Sequence, residues 1–165
     1  MKKFIFLITT ILSSLIFGQE TKLMYIMLEN SNAMIIGSKI QIEITNDYLN
    51  PEKRDNNAKI KVTKYSKKDK KDITTEFILE EKKYMEICNK ILELNPKNLL
   101  HNNSNELQID GYSTELKFGT ENEGISYGVY GLEGKTGNAK YKDLKDIVIL
   151  IFNYANEKRR GFNYD

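Results

Sequence analysis

The chain is poor in the residues on which most metal and covalent chemistry depends. Among 165 residues it has one cysteine, Cys88, and one histidine, His101. A single Cys excludes an internal disulfide, so packing alone has to hold the fold together. One His and one Cys cannot assemble the usual zinc ligand sets, and no acidic loop has calcium-binding spacing. No metal and no cofactor is expected. Proline is equally scarce: Pro51 lies in a polar loop and Pro96 follows Asn95 at a helix stop. Charge of one sign is also missing, with 25 basic residues against 23 acidic ones and a formal net charge of +2.

The apolar residues that are present gather first at the N-terminus. Met1-Lys2-Lys3 is a short basic start, and residues 4–17 are apolar apart from Thr9, Thr10, Ser13 and Ser14. Gly18-Gln19-Glu20 then returns the chain to water. This is the layout of a secretory signal peptide. The apolar run is shorter than the roughly 20 residues a membrane span needs. The expectation is a signal peptide over 1–18, cleavage after Gly18, and a single α+β domain over 19–165; an uncleaved N-terminal anchor is the alternative. Lipid attachment needs a Cys at the end of the apolar core, and Cys88 is far downstream. The product is therefore expected in the periplasm or outside the cell, with no stable membrane anchor after cleavage. In that oxidising compartment an exposed free thiol is a liability, so Cys88 is expected to be buried. Removing Lys2 and Lys3 with the leader leaves 23 basic and 23 acidic residues. A neutral mature chain has no global electrostatic attraction for nucleic acid or anionic membrane.

Hydrophobic periodicity then sets the fold class. Residues 21–29 read as a first strand. In residues 38–45, Ile40, Ile42 and Ile44 alternate with Lys39, Gln41 and Glu43, the half-buried pattern of an antiparallel sheet. A third strand is expected over 58–65, with Ile60 and Val62 inward. A fourth is expected over 73–79, with Ile73, Thr75, Phe77 and Leu79 on one face. The lysine-rich stretch 67–72 between them is a hairpin tip. From Glu80 to Leu94 the period becomes helical, with Tyr84, Ile87, Cys88, Ile91 and Leu94 in one stripe. Residues 107–109 begin another extended segment, and strands follow over 112–118 and 125–132. The last element, about 141–157, puts Leu144, Ile147, Val148, Ile151, Tyr154 and Ala155 on one helical face. Its β-branched run 147–151 also suits a buried strand, and length favours helix. The expected fold is α+β: a mostly antiparallel sheet with two helices packed on one face, in the order β-β-β-β-α-β-β-α. By shape alone, the two halves read as a degenerate strand-strand-helix repeat.

Two apparent catalytic motifs are decoys. Gly124-Ile125-Ser126-Tyr127-Gly128 has the Gly-x-Ser-x-Gly form of a nucleophile elbow. That elbow needs a sharp strand-to-helix turn and a His after the Ser, whereas Ser126 lies in an expected strand and His101 precedes it. Gly134-Lys135-Thr136 resembles the end of a phosphate-binding loop, but Val129 stands where the first Gly is required. His101, among asparagines, reads as a solvated loop residue. Glu115, Glu121 and Glu123 are candidate acids, but glycosidase chemistry needs two carboxylates at a set separation in a cleft, which spacing alone does not show.

Binding offers a better match. Gly124, Gly128, Gly131, Gly134 and Gly137 recur every three or four residues, with Tyr127 and Tyr130 between. Glycines in strands mark bulges or close backbone approach, and tyrosines are favoured at interfaces. Tyr127 and Tyr130, with Tyr112 at the start of the preceding strand, are the candidate binding residues. No catalytic residue is assigned. Ile149 and Phe152 lie off the core stripe of the last helix, which makes that helix either deeply buried or a contact surface. The expected function is a non-enzymatic exported domain that binds another macromolecule, one version being an inhibitor or immunity-type protein with a protein partner in the envelope or outside the cell. A small carboxylate-dependent hydrolase and a structural envelope component are the alternatives.

Overall fold

The structure, a computed structural model, describes residues 23–32, 35, 38–46, 57–66, 68–97, 112–120, 122–132 and 141–158. The expected leader and cleavage site, His101, Glu121, the expected extended segment at 107–109 and Gly134-Lys135-Thr136 lie outside the described residues. The elements run β1 (Tyr25–Ser31), β2 (Ile40–Thr45), β3 (Ala58–Ser66), β4 (Lys71–Leu79), α1 (Glu81–Leu92), β5 (Ser113–Gly119), β6 (Gly124–Tyr130) and α2 (Lys142–Tyr154). The class is α+β, and the order of elements is the one the periodicity implies.

The strands form one six-stranded sheet in the order β4-β3-β2-β1-β5-β6. Every neighbouring pair is antiparallel. The first four strands meander to one edge. After α1 the chain returns to the free side of β1, and β5-β6 completes the other edge. Two hairpins, β3-β4 and β5-β6, thus flank the central pair, and each is followed by a helix.

Register explains which side chains are buried. Opposed residues share a face of the sheet. One row runs Phe77, Ile60, Ile44, Ile26, Phe118, Ile125, and the next runs Thr75, Val62, Ile42, Leu28, Leu116, Tyr127. Ile26, Leu28, Ile42, Ile44, Ile60, Val62 and Leu116 are all fully buried. At the end of this face, buried Asn30 donates from Nδ2 to Thr114 Oγ1 at 2.9 Å, pinning β1 to β5. The helices bury Tyr84, Ile87, Cys88 and Ile91 from α1, and Leu144, Ile147, Val148, Ile151 and Phe152 from α2. These join the same hydrophobic cluster as the sheet residues. Cys88 is a buried free thiol whose pKa is raised, chiefly by burial.

The helix ends have identifiable causes. Glu80 opens α1 with an extended backbone and no side-chain cap of its own. Asn57 instead accepts the Glu81 N–H through its Oδ1 at 2.9 Å, so the loop before β3 caps the helix. The Tyr84 hydroxyl donates to the Leu23 carbonyl and fastens α1 to the segment before β1. α2 ends on Asn156 at φ 54°. There Asn156 N–H donates to Asn153 O at 3.1 Å and Glu157 N–H to Phe152 O at 2.9 Å. This is a Schellman stop with Asn in the left-handed position usually held by Gly. Lys64 then pairs with Glu157 at 2.5 Å, tying β3 to the chain three residues past α2.

Two expectations about α2 are settled. Residues 147–151 are helix, not strand. Phe152 is not off the core face: it is 0% exposed, while Ile149 is half-buried. From Leu144, positions 147, 148, 151, 152 and 155 follow the i+3/i+4 rhythm of one wide apolar arc, and Phe152 lies within it.

Candidate functional site

The second face of the sheet is polar. Its rows run Glu76, Lys61, Glu43, Met27, Lys117, Ser126 and Thr74, Thr63, Gln41, Glu29, Glu115, Gly128. Described residues here are half-buried or exposed, except Gly119. Opposite charges alternate across β4, β3 and β2, whereas Glu29 on β1 stands opposite Glu115 on β5. Lys39 pairs with Glu29 at 2.9 Å, Lys61 with Glu43 at 3.2 Å, Lys59 with Glu76 at 2.5 Å and Lys117 with Glu115 at 3.0 Å. Gln41 Nε2 also donates to Glu43 Oε1 at 2.9 Å. Ion pairs this exposed contribute about 0–1 kcal/mol each. Their effect is to keep a broad, half-wet surface mixed in sign.

At the β5-β6 end, Ser126 donates from Oγ to Glu115 Oε1 at 2.8 Å. Hydrogen bonds from Lys117 and Ser126 hold the Glu115 carboxyl below its ordinary pKa. Ser126 therefore lies mid-strand with its hydroxyl engaged by a carboxylate, and no strand-to-helix turn is present there. The elbow geometry that a serine nucleophile requires is absent.

The glycines here differ in their reasons. A Cβ on Gly119 would stand 2.0 Å from the Glu123 carbonyl oxygen, so the tight β5-β6 turn requires glycine. A Cβ on Gly124 would stand 2.1 Å from the Tyr25 hydroxyl, because Tyr25 lies across the end of this hairpin. A Cβ on Gly128 would meet nothing within 4 Å.

The three candidate tyrosines do not form one surface. Tyr127 is half-buried on the core side, with its ring 5.9 Å from that of Phe118 at 43°. Tyr130 is on the opposite, polar side and is 68% exposed. Residues three apart in a strand fall on opposite faces, which the spacing itself indicated. Tyr112 is half-buried ahead of β5, and its carbonyl accepts the Gly131 N–H at 2.8 Å. The residues that sequence reasoning passed over are the polar partners of the strand alternations: Glu29, Lys39, Glu43, Lys61 and Lys117. The signal was the even spacing of Lys39, Gln41 and Glu43 and of Lys59 and Lys61.

The lysine-rich hairpin tip closes on itself. Ser66 donates to Asp69 Oδ2 at 2.7 Å, Asp69 N–H returns a bond to Ser66 Oγ at 3.2 Å, and Lys70 takes φ 53°. Acids also gather between the helices, where Lys90, Glu93, Asp143, Asp146 and Ile147 line a depression of about 190 Å³. Among the described residues no group of three His, Cys, Asp or Glu side chains could hold a metal ion. No described helix is long and apolar enough to cross a membrane. No family model matches the chain, and no curated protein matches it.

Proposed function

We propose that the mature chain is an exported, non-catalytic domain that binds another protein through the polar face of its sheet, in the manner of an inhibitor or immunity protein. The observation that carries this reading is the face itself: six strands wide, mixed in charge over β1–β5, with Tyr130 exposed at one border. Such a mosaic suits a partner surface of complementary charge, where paired charges set register and a peripheral aromatic adds contact area. The leader supports an address in the periplasm or outside the cell.

The test is affinity capture from envelope extract with the exported protein, alongside Lys61→Glu and Tyr130→Ala variants. A specific partner retained by wild type and lost by Lys61→Glu is the expected result. Equal retention by both variants removes the polar face from consideration, and no specific partner at all favours a structural envelope role. N-terminal sequencing of the exported form should begin at Gln19; an intact Met1 contradicts cleavage. The depression at Glu93, Asp143 and Asp146 favours a second reading, a carboxylate-dependent hydrolase. That reading requires a hydrolytic activity that disappears in Asp143→Asn or Asp146→Asn.

A further inference from the structure

The two borders of the sheet are defended unequally. β4 carries Lys71, Asp72 and Glu76 along its nine residues. Charges of this kind are the usual means of keeping a sheet edge from pairing with another chain. β6, with the sequence GISYGVY, has no charged residue and no proline. It pairs with β5 in unbroken register from Gly124 to Tyr130, so no bulge twists it away. Among the described residues nothing pairs with its outer side. Gly124, Ile125, Ser126, Gly128 and Tyr130 are exposed, Ile125 to 51%.

The backbone direction of this edge follows from the hydrogen bonds at its two ends. Glu123 O accepts from Thr120 and Gly131 N–H donates to Tyr112, both at 2.8 Å. In an antiparallel ladder such pairs alternate. Residues 123, 125, 127, 129 and 131 therefore turn their backbone groups toward β5. Gly124, Ser126, Gly128 and Tyr130 turn theirs outward.

We propose that β6 pairs antiparallel with β6 of a second copy of this chain, about a two-fold axis at Tyr127, making one continuous sheet across both copies. This register opposes Gly124 with Tyr130, Ser126 with Gly128, and Tyr127 with itself. Every outward-facing residue then meets an outward-facing residue, so each pair exchanges its two backbone bonds. On the core side, Ile125 is set against Val129 and the two Tyr127 rings are neighbours.

No like charges meet across the seam. One row reads Lys117, Ser126, then Gly128 and Glu115 of the second copy. Nothing within 4 Å of a Cβ on Gly128 accounts for glycine there in the single chain. In the pair it is the position that leaves the seam open between Glu115 and Lys117. An uncharged seven-residue edge meets no like-charge repulsion from its own copy. Its contact falls below the roughly 1,200 Å² of a standard interface, so the association depends on concentration.

Sedimentation velocity of the protein, purified in the form that cells accumulate, tests this from micromolar to millimolar concentration. The wild type should move from monomer to dimer, with no larger species. Gly128→Pro removes an outward N–H without touching the β5 ladder, as proline at an edge strand allows. It should remain monomeric with an unchanged circular dichroism spectrum. Tyr127→Cys should form a disulfide-linked dimer on mild oxidation, because its copies face each other at about 4.5 Å between Cα atoms, within disulfide range. Ile125→Cys should not, since its copies lie roughly 13 Å apart along the strands. A wild type that stays monomeric throughout overturns the proposal. So does dimerisation of a folded Gly128→Pro, or cross-linking of Ile125→Cys as readily as Tyr127→Cys. The wild-type mass and the cysteine pair decide the matter whether or not Gly128→Pro folds.

Discussion

The two faces of the sheet are built from alternate residues of the same strands, yet they answer to different physics. On one, Ile26, Leu28, Ile42, Ile44, Ile60 and Leu116 are removed from water and packed with the helix residues. On the other, Lys39 pairs with Glu29, Lys61 with Glu43 and Lys117 with Glu115 while remaining in reach of water. Burial of apolar surface is worth about 1.5–3 kcal/mol for each large side chain, whereas an exposed ion pair is worth about 0–1. Stability therefore rests on the first face, and the second can change sequence at little cost to the fold.

The largest effect should come from the buried side. Phe152→Ala should lower the unfolding free energy by about 3–5 kcal/mol, read by urea denaturation followed by circular dichroism. A loss of under half that size would mean that α2 is less deeply set than its burial shows. Next comes a pair that sharpens the contrast within the polar side. Gly119→Ala forces a Cβ against the Glu123 carbonyl and should cost about 1–3 kcal/mol, whereas Gly128→Ala meets open space and should change stability by no more than about 0.5 kcal/mol. Equal effects at the two glycines would contradict the turn geometry. Smaller still, Lys61→Ala should cost under about 1 kcal/mol, and adding salt should shrink the difference from wild type.

The smallest effects are those of pH. Glu115 titrates below its ordinary value, so its contribution is present above the unfolded carboxyl pKa and fades as pH falls through the folded one. Tyr154 behaves in the opposite sense. A hydrogen bond from its hydroxyl to Glu86, with some desolvation and the nearby acidic charge, raises it from the ordinary 10 to about 12. Its contribution is present below pH 10 and is lost as pH rises through about 12. Ultraviolet titration should show the Tyr154 phenol ionising late, and Glu86→Gln should bring it back toward the ordinary value.

Much of this architecture could be read from spacing. Ile40, Ile42 and Ile44 announced a one-sided strand, and Tyr84, Ile87, Cys88 and Ile91 a one-sided helix, because each period leaves a single solution for burial. Pairing was not readable in the same way. Nothing in residues 113–119 says that they return to β1, since alternation reports a face and carries no information about a neighbour. Phe152 was misassigned because the stripe of α2 was drawn through Tyr154, although Phe152 keeps the i+4 rhythm from Val148. Tyr127 and Tyr130 are separated for a simpler reason: residues 127 and 130 differ by an odd number, and a strand sends such residues to opposite sides. The polar face was visible in its letters but not as a surface, because a surface exists only once six strands have been set side by side.

Strand β1 also has a history that the finished fold conceals. One side of it is matched by residues 40–45, close behind in the chain, while the other waits for residues 113–119. Asn30 and Thr114, which meet across that second side, are 84 positions apart. Closing so long a loop is entropically slow compared with forming the local hairpins. A chain emerging from its N-terminus thus passes through a stage in which the middle of its future sheet is still a border, lined by Ile26 and Leu28 and open to foreign strands. A strand flanked on both sides in the native protein is thus exposed along one side during its synthesis, and any premature stop before β5 leaves it that way.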